Sequence, residues 1–357
     1  MVQEGVTRRT FLQTSSFAVS LAAGALPAAA QENANRLGIG SSSYGIRFGH
    51  ERRNRPAQPL SDPLHFLEYC RSIGAGGIQT GLGTLDSSAQ RKLRHTAERH
   101  GMFVEASLRL PGEKSGLSDF KEAVRIAKNA GAGVIRSVML SGRRYETFDS
   151  FKDFEAFAER SWTSLTLAEP ILRNNRMYLA LENHKDWRIS DMLALLKRMS
   201  SEFVGVCVDT GNNIALLDDP LALVQAFAPY AKSVHLKDMG VEEYDEGFLL
   251  SEVPLGEGYL DMPRIVNILR AAHPGLRFSL EMITRDPLKI PCLTEGYWAT
   301  FPELPGADLA RTLVAVQKNK PAQPLPRVSH LSIEERLKIE DDNVRKCLAY
   351  ARDHLNL

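Results

Sequence analysis

Beyond residue 36 the chain alternates short apolar runs with longer stretches in which apolar residues recur every three or four positions. The first pattern is that of a buried strand and the second that of an amphipathic helix. Their regular alternation predicts parallel strands joined by crossover helices. Strands are predicted at 37–42, 77–80, 103–108, 133–139, 177–182, 204–209, 233–236 and 277–281. Helical periodicity falls at 87–100, 117–130, 151–173, 189–199, 220–227, 262–272 and 307–317, each stretch able to cover one strand. Eight such units suit a closed (β/α)8 barrel, the TIM barrel, whose ordinary size is about 250 residues. An open doubly wound sheet is the competing architecture, but Gly38-Ile39-Gly40 lacks the third glycine of a dinucleotide-binding turn.

After the barrel pattern, a proline-rich stretch at 319–326 leads into a charged amphipathic helix at 331–355. This C-terminal helical extension is expected to lie over the barrel or against a neighbouring copy in a homo-oligomer. At the other end, Arg8-Arg9 precede an apolar run, 17–26, and the small residues Ala28-Ala29-Ala30. That order resembles a bacterial twin-arginine export signal with cleavage after Ala30. The expected division is therefore a leader at 1–30, a barrel at 31–317 and an extension at 318–357, with the mature chain periplasmic and left without a membrane anchor.

Charge and cysteines remove several classes. Lys and Arg number 44 against 43 Asp and Glu, and no long basic run offers the footprint that a nucleic-acid backbone requires. Cys70, Cys207, Cys292 and Cys347 are far apart and form no CxxC pair, so free buried thiols are expected rather than a thiolate zinc site.

The chemistry gathers where the later strands end. Glu182 closes Leu179-Ala180-Leu181-Glu182, Asp209 closes Val206-Cys207-Val208-Asp209, His235 lies in Ser233-Val234-His235-Leu236, and Glu281 closes Phe278-Ser279-Leu280-Glu281. In a barrel these ends converge on one face, so four residues distant in sequence become one cluster. One such acid is as readily a helix cap or an ion-pair partner, whereas four on consecutive strands point to a shared task. Three carboxylates and an imidazole suit a hard divalent ion, Mn²⁺ first, with Mg²⁺, Co²⁺ or Zn²⁺ as alternatives.

These segments, together with Pro254-Leu255-Gly256-Glu257-Gly258 and Asp261 ahead of a helix, resemble the xylose isomerase-like barrel superfamily. It includes sugar isomerases and epimerases, inosose dehydratases and endonuclease IV, and the resemblance runs from about Leu37 to Val316. It implies that Glu182, Asp209, His235 and Glu281 hold one divalent ion and that Glu182 and Glu281 are the catalytic acid/base pair. The positions that contact substrate in its ketose 3-epimerases depart from pattern, with Asn212, Val241 and Arg188 in place of His, Arg and Glu. His184, Asn212 and Lys237 are candidate substrate contacts beside the quartet, and Arg285 and Trp298 are candidates from the loop after the last strand. Tyr44 and the basic residues Arg47, Arg52, Arg53 and Arg55 read as a first long loop.

The expected activity is a metal-dependent sugar or sugar-derivative isomerase or epimerase working through an enediolate on a small carbohydrate. A lyase or dehydratase, inosose dehydratase-like or acting on 3-keto-glycosides, is the alternative. A non-catalytic periplasmic sugar-binding protein is disfavoured by the intact quartet. Three-zinc phosphodiester cleavage is disfavoured because only His184 and His235 of nine histidines lie at strand ends.

Overall fold

Eight parallel strands close on themselves in the computed structural model, which describes residues 36–357; the leader-like segment and its cleavage point lie outside these residues. In chain order the strands are β1 Gly38–Gly40, β2 Gly77–Thr80, β3 Phe103–Ser107, β4 Val134–Ser137, β5 Tyr178–Glu182, β6 Val204–Asp209, β7 Ala231–Leu236, β8 Asp238–Tyr244, β9 Gly247–Val253, β10 Phe278–Leu280 and β11 Leu288–Ile290. The barrel consists of β1 to β7 closed by β10, every neighbouring pair parallel, so the (β/α)8 expectation holds. Its strands are short, and the register puts Leu179, Leu181, Val206, Val208, Val234 and Leu280, all fully buried, on one apolar face beneath the helices, while the opposite face carries buried polar side chains such as Gln79, Glu105 and Ser233. The Phe103 ring packs onto the backbone of β1 and β2. A Cβ at Gly38 or Gly77 would meet that ring at 2.3 or 2.4 Å, so only glycine fits at either position.

Three features depart from the sequence reading. The segment after β1 is helical, Gly45–Asn54 and then Pro63–Ser72, where a loop was expected. Asp62 starts the second helix by accepting from Leu64 N and His65 N, both at 3.0 Å, with proline in the first turn. The second departure follows β7. A hairpin, β8 and β9, turns through Asp245-Glu246 and pairs with β11 as a separate antiparallel sheet. Around it Val241, Phe248, Leu250, Ile290, Tyr297 and Phe301 form a second apolar core, against which helix Gly306–Lys318 packs.

The third departure concerns the outer ring. Helix Gly306–Lys318, read from sequence as one more barrel-covering element, covers β8 and β9 instead. Helix Ile333–Leu355 packs against both Met262–Ala272 and Gly45–Asn54, and its Val344, Cys347, Ala351 and Leu355 join the main core. It thus occupies the eighth helical position of the ring. Polar bonds fix it there. The Glu340 carboxylate, 1% exposed, accepts from Ile46 N at 2.7 Å and Arg47 N at 3.0 Å, which are open donors in the first turn of Gly45–Asn54. Tyr44, expected near the barrel mouth, is fully buried with its hydroxyl donating to Asp341 at 3.1 Å.

Glu340→Ala would leave the part-buried N–H groups of Ile46 and Arg47 without this cap. A loss of about 1–3 kcal/mol in unfolding free energy is expected from urea denaturation, with unchanged values for an exposed control such as Lys338→Ala.

Candidate metal centre

Glu182 and Asp209 are the last residues of β5 and β6, His235 lies one residue from the end of β7, and Glu281 follows β10 directly. The barrel order β5-β6-β7-β10 therefore lines the four side chains along one arc, the two glutamates flanking Asp209 and His235. All four are buried, and one ligand atom from each lies within 4.8 Å of the others. From His235 Nδ1 the distances are 3.4 Å to Glu182 Oε2, 3.8 Å to Asp209 Oδ2 and 3.5 Å to Glu281 Oε1.

The imidazole is oriented by its other nitrogen. Nε2 donates to Gln79 Oε1 at 2.6 Å; Gln79 Nε2 donates to Glu105 Oε2 at 2.8 Å; and Ser233 Oγ donates to the same carboxylate oxygen at 2.6 Å. With Nε2 carrying the proton, the Nδ1 lone pair faces three carboxylates, and this buried atom has no hydrogen-bond partner among the described residues. An unpartnered imidazole nitrogen within a ring of carboxylate oxygens is the donor set of a divalent cation site, and the residues present fit one.

Each carboxylate is held by its own contacts. Asp209 Oδ1 accepts from Gly211 N and Asn212 N at 3.0 and 2.8 Å, which leaves Oδ2 to the cluster. Arg136 on β4 grips Glu182 through Nε at 2.5 Å and through an Nη2 ion pair, while Asn212 Nδ2 donates to Glu182 Oε1 at 3.1 Å. Ser42 Oγ donates to Glu281 Oε1 at 2.8 Å, and Lys237 Nζ lies 2.6 Å from Glu281 Oε2 and 3.0 Å from Asp209 Oδ2.

These contacts decide the protonation states. Burial works to raise Glu182, yet Arg136 and His235 hold it far below the usual carboxylate range. Glu281 is lowered likewise against burial by Lys237 and His235. For Asp209 burial wins and the group is raised, with Lys237 opposing. Burial opposes the charging of His235, but Cys207, Glu281 and Glu182 push it well above its ordinary value. Its Nδ1 faces three carboxylates whose negative charge favours a cation at that point.

Of the predicted substrate contacts, Asn212 and Lys237 join the cluster, with Asn212 Oδ1 accepting from Lys237 Nζ at 3.1 Å. His184 is pushed down to about 4 by burial and by Lys185, so it is neutral at pH 7, and its Nδ1 has no partner among the described residues. Arg285 bonds Glu252 through Nε at 3.1 Å and Nη2 at 2.5 Å, and Glu252 lies 3.8 Å from Lys237 Nζ, so Arg285 reaches the cluster through one carboxylate. Trp298 is not brought there: it packs on the second core and its Nε1 donates to Cys292 O at 2.9 Å. Arg188 instead ties Asp218 to Asp308 at 2.7 and 2.9 Å, and Val241 is buried in the second core. The Pro254–Gly258 segment wraps Asp238, whose carboxylate accepts from Gly256 N and Gly258 N at 2.9 and 3.1 Å. Gln79, Glu105, Arg136, Lys185 and Glu252 were not found from sequence. All four cysteines are free and buried.

Gln79→Leu would release the His235 ring from its tautomer. The expected result is a 10–100-fold loss of Mn²⁺ affinity, read by electron paramagnetic resonance titration, with the circular dichroism spectrum unchanged.

The family and its relatives agree with the barrel fold. A protein 26% identical over 242 residues is the 3-oxo-isoapionate decarboxylase of Pectobacterium atrosepticum; the match spans 66% of this chain and 81% of that protein. A xylose isomerase-like TIM barrel protein from Mycobacterium smegmatis, solved in complex with magnesium, superposes with a TM-score of 0.53 at 17% identity over 79% of this chain and 99% of its own. The 3-keto-D-glucoside 4-epimerase of E. coli does so with 0.52 at 14% identity over 79% and 99%. The xylose isomerase-like TIM barrel profile matches residues 67–313, more than half of the chain, and the chain belongs to that family.

Proposed function

We propose that this protein is a metal-dependent isomerase or epimerase of a sugar or sugar derivative, moving a proton through an enediolate. The observation that carries the reading is the placement of Glu182 and Glu281 on the two flanks of the cluster, 3.4 and 3.5 Å from His235 Nδ1, each beside cations that hold it below the usual carboxylate range. Glu182, Asp209, His235 and Glu281 would hold the divalent ion, Mn²⁺ by preference. When bound, it would polarise a substrate carbonyl and the neighbouring hydroxyl and so acidify the C–H between them. One glutamate then removes that proton and the other returns it. Lys237, clamped between Asp209 and Glu281, supplies positive charge beside the oxygen on which negative charge develops. Neutral His184 offers a hydroxyl contact or proton donor. The leader-like segment supports an exported, periplasmic enzyme.

A second reading has its own observation. Arg136 holds Glu182 by two contacts, and a carboxylate gripped by a guanidinium is a weak base. Glu281 is held by one hydroxyl and one lysine, with no guanidinium on it. A site whose two carboxylates are so unequally paired suits reactions in which the enolate forms by loss of a group and only one proton is delivered. The relative named for decarboxylation points the same way, so a lyase is the alternative outcome.

The test is proton NMR in D₂O on Mn²⁺-loaded protein with ketoses, inososes and 3-keto-glycosides. Deuterium entering beside the carbonyl with an epimer or isomer is the expected result. A released aglycone, water or carbon dioxide in place of an epimer would move the protein to the lyases. Glu281→Gln should lower exchange by a factor of about 10²–10⁴; exchange at the native rate with metal bound would remove Glu281 from the acid/base role.

A further inference from the structure

A cavity of about 510 Å³ opens at the C-terminal ends of β3 and β4, on the face of the barrel that carries the metal-ligand cluster. Its lining is mixed: Val138 and Met139 are apolar, Ser107 and Ser141 carry hydroxyls, and Arg109 and Arg136 carry charge. No carboxylate lines it. Arg109 is exposed and forms no ion pair with the described residues, whereas Arg136 lines the cavity and also grips Glu182. One guanidinium therefore separates this cleft from a metal ligand.

Charge balance inside the site adds a second line of argument. Five buried carboxylates, Glu182, Asp209, Glu281, Glu252 and, through Gln79, Glu105, face four cations, Arg136, Lys237, Lys185 and Arg285, joined by the contacts already described and by Lys185 Nζ on Asn212 Oδ1. Protein charges alone thus nearly cancel, and a divalent ion held by the quartet leaves the buried site positive. In a medium of low dielectric such an excess favours a substrate that brings negative charge of its own. A neutral sugar would leave the excess without a counterpart and make no charge-assisted contact with Arg109.

Resting on the enolisation reading above, we propose that the substrate is an anionic keto-sugar whose acidic substituent, carboxylate or phosphate, is seated in this cleft against Arg109 and Arg136 while its carbonyl end faces the quartet. Arg109 is then a specificity-determining residue, and the preference for acidic over neutral sugars follows from the charge-assisted contact that only an acidic substituent makes with it.

Isothermal titration calorimetry on the Mn²⁺-loaded protein tests this with D-fructose, 5-keto-D-gluconate and D-fructose 6-phosphate as probes. At least tenfold tighter binding of one acidic probe than of D-fructose is expected, and which acid is preferred assigns carboxylate or phosphate. In Arg109→Ala that preference should fall below threefold, and in Arg109→Glu it should reverse; this exposed position leaves the fold intact, as circular dichroism would verify. Equal affinity for all three probes, absence of binding by all three, or a preference untouched by both variants would overturn the proposal. Binding is read without turnover, so the two readings fail separately. Anion preference without deuterium exchange would remove enolisation and leave the cleft assignment, and exchange on neutral sugars alone would do the converse.

Discussion

Everything at the mouth of this barrel depends on burying three carboxylates within reach of one imidazole. Glu182, Asp209 and Glu281 are 0%, 0% and 5% exposed, and like charges at such separations repel strongly where water is excluded. The fold keeps them together by surrounding each with a dedicated donor from a different element. Arg136 comes from β4, Ser42 from the turn after β1, Asn212 from the turn after β6, and Lys237 from the link between β7 and β8. Removing one partner of such a buried pair leaves an uncompensated charge, so these donors are as necessary to the cluster as its ligands.

The four residues of the cluster were legible because a barrel converts sequence position into spatial position by one rule: a side chain at the C-terminal end of a strand faces the common mouth. Glu182, Asp209 and His235 sit where their strands stop, and Glu281 is kept in register by its N–H to Leu236 O at 3.2 Å although β10 ends one residue earlier. Their partners obey no such rule. Arg136 stands 46 residues from Glu182 and Gln79 stands 156 from His235. Either reads in sequence as an ordinary polar residue within a strand, because nothing local distinguishes an arginine that pairs a distant ligand from one that faces solvent.

The same limit explains the misread edges of the fold. Residues 238–253 carry glycines and the acids Glu242, Glu243, Asp245 and Glu246, a composition that reads as a loop. They form a hairpin because β11 and helix Gly306–Lys318 arrive later in the chain to cover it. Trp298 looked like a sugar-stacking aromatic beside the mouth, yet that late-arriving core takes it up. The C-terminal helix showed its amphipathic period plainly. Its place in the ring was hidden, because it depends on Glu340 and Asp341 finding Ile46, Arg47, Tyr44 and Tyr69 nearly 300 residues earlier in the chain.

The extra sheet also bears on the chemistry. It follows β7 directly, and the side chain of the link residue Lys237 touches both the cluster and a residue of the sheet, Glu252 on β9. Glu252 in turn anchors Arg285, so the sheet carries charge balance outward from the buried quartet to the rim. A barrel wall must keep its strands apolar and its register fixed, whereas a hairpin inserted between β7 and the next helix is free to vary. The buried quartet is thus anchored in the barrel wall, while the sheet on one side lies outside that wall and the arginine-lined cleft on the other opens at the ends of β3 and β4, with Lys237 joining quartet to sheet.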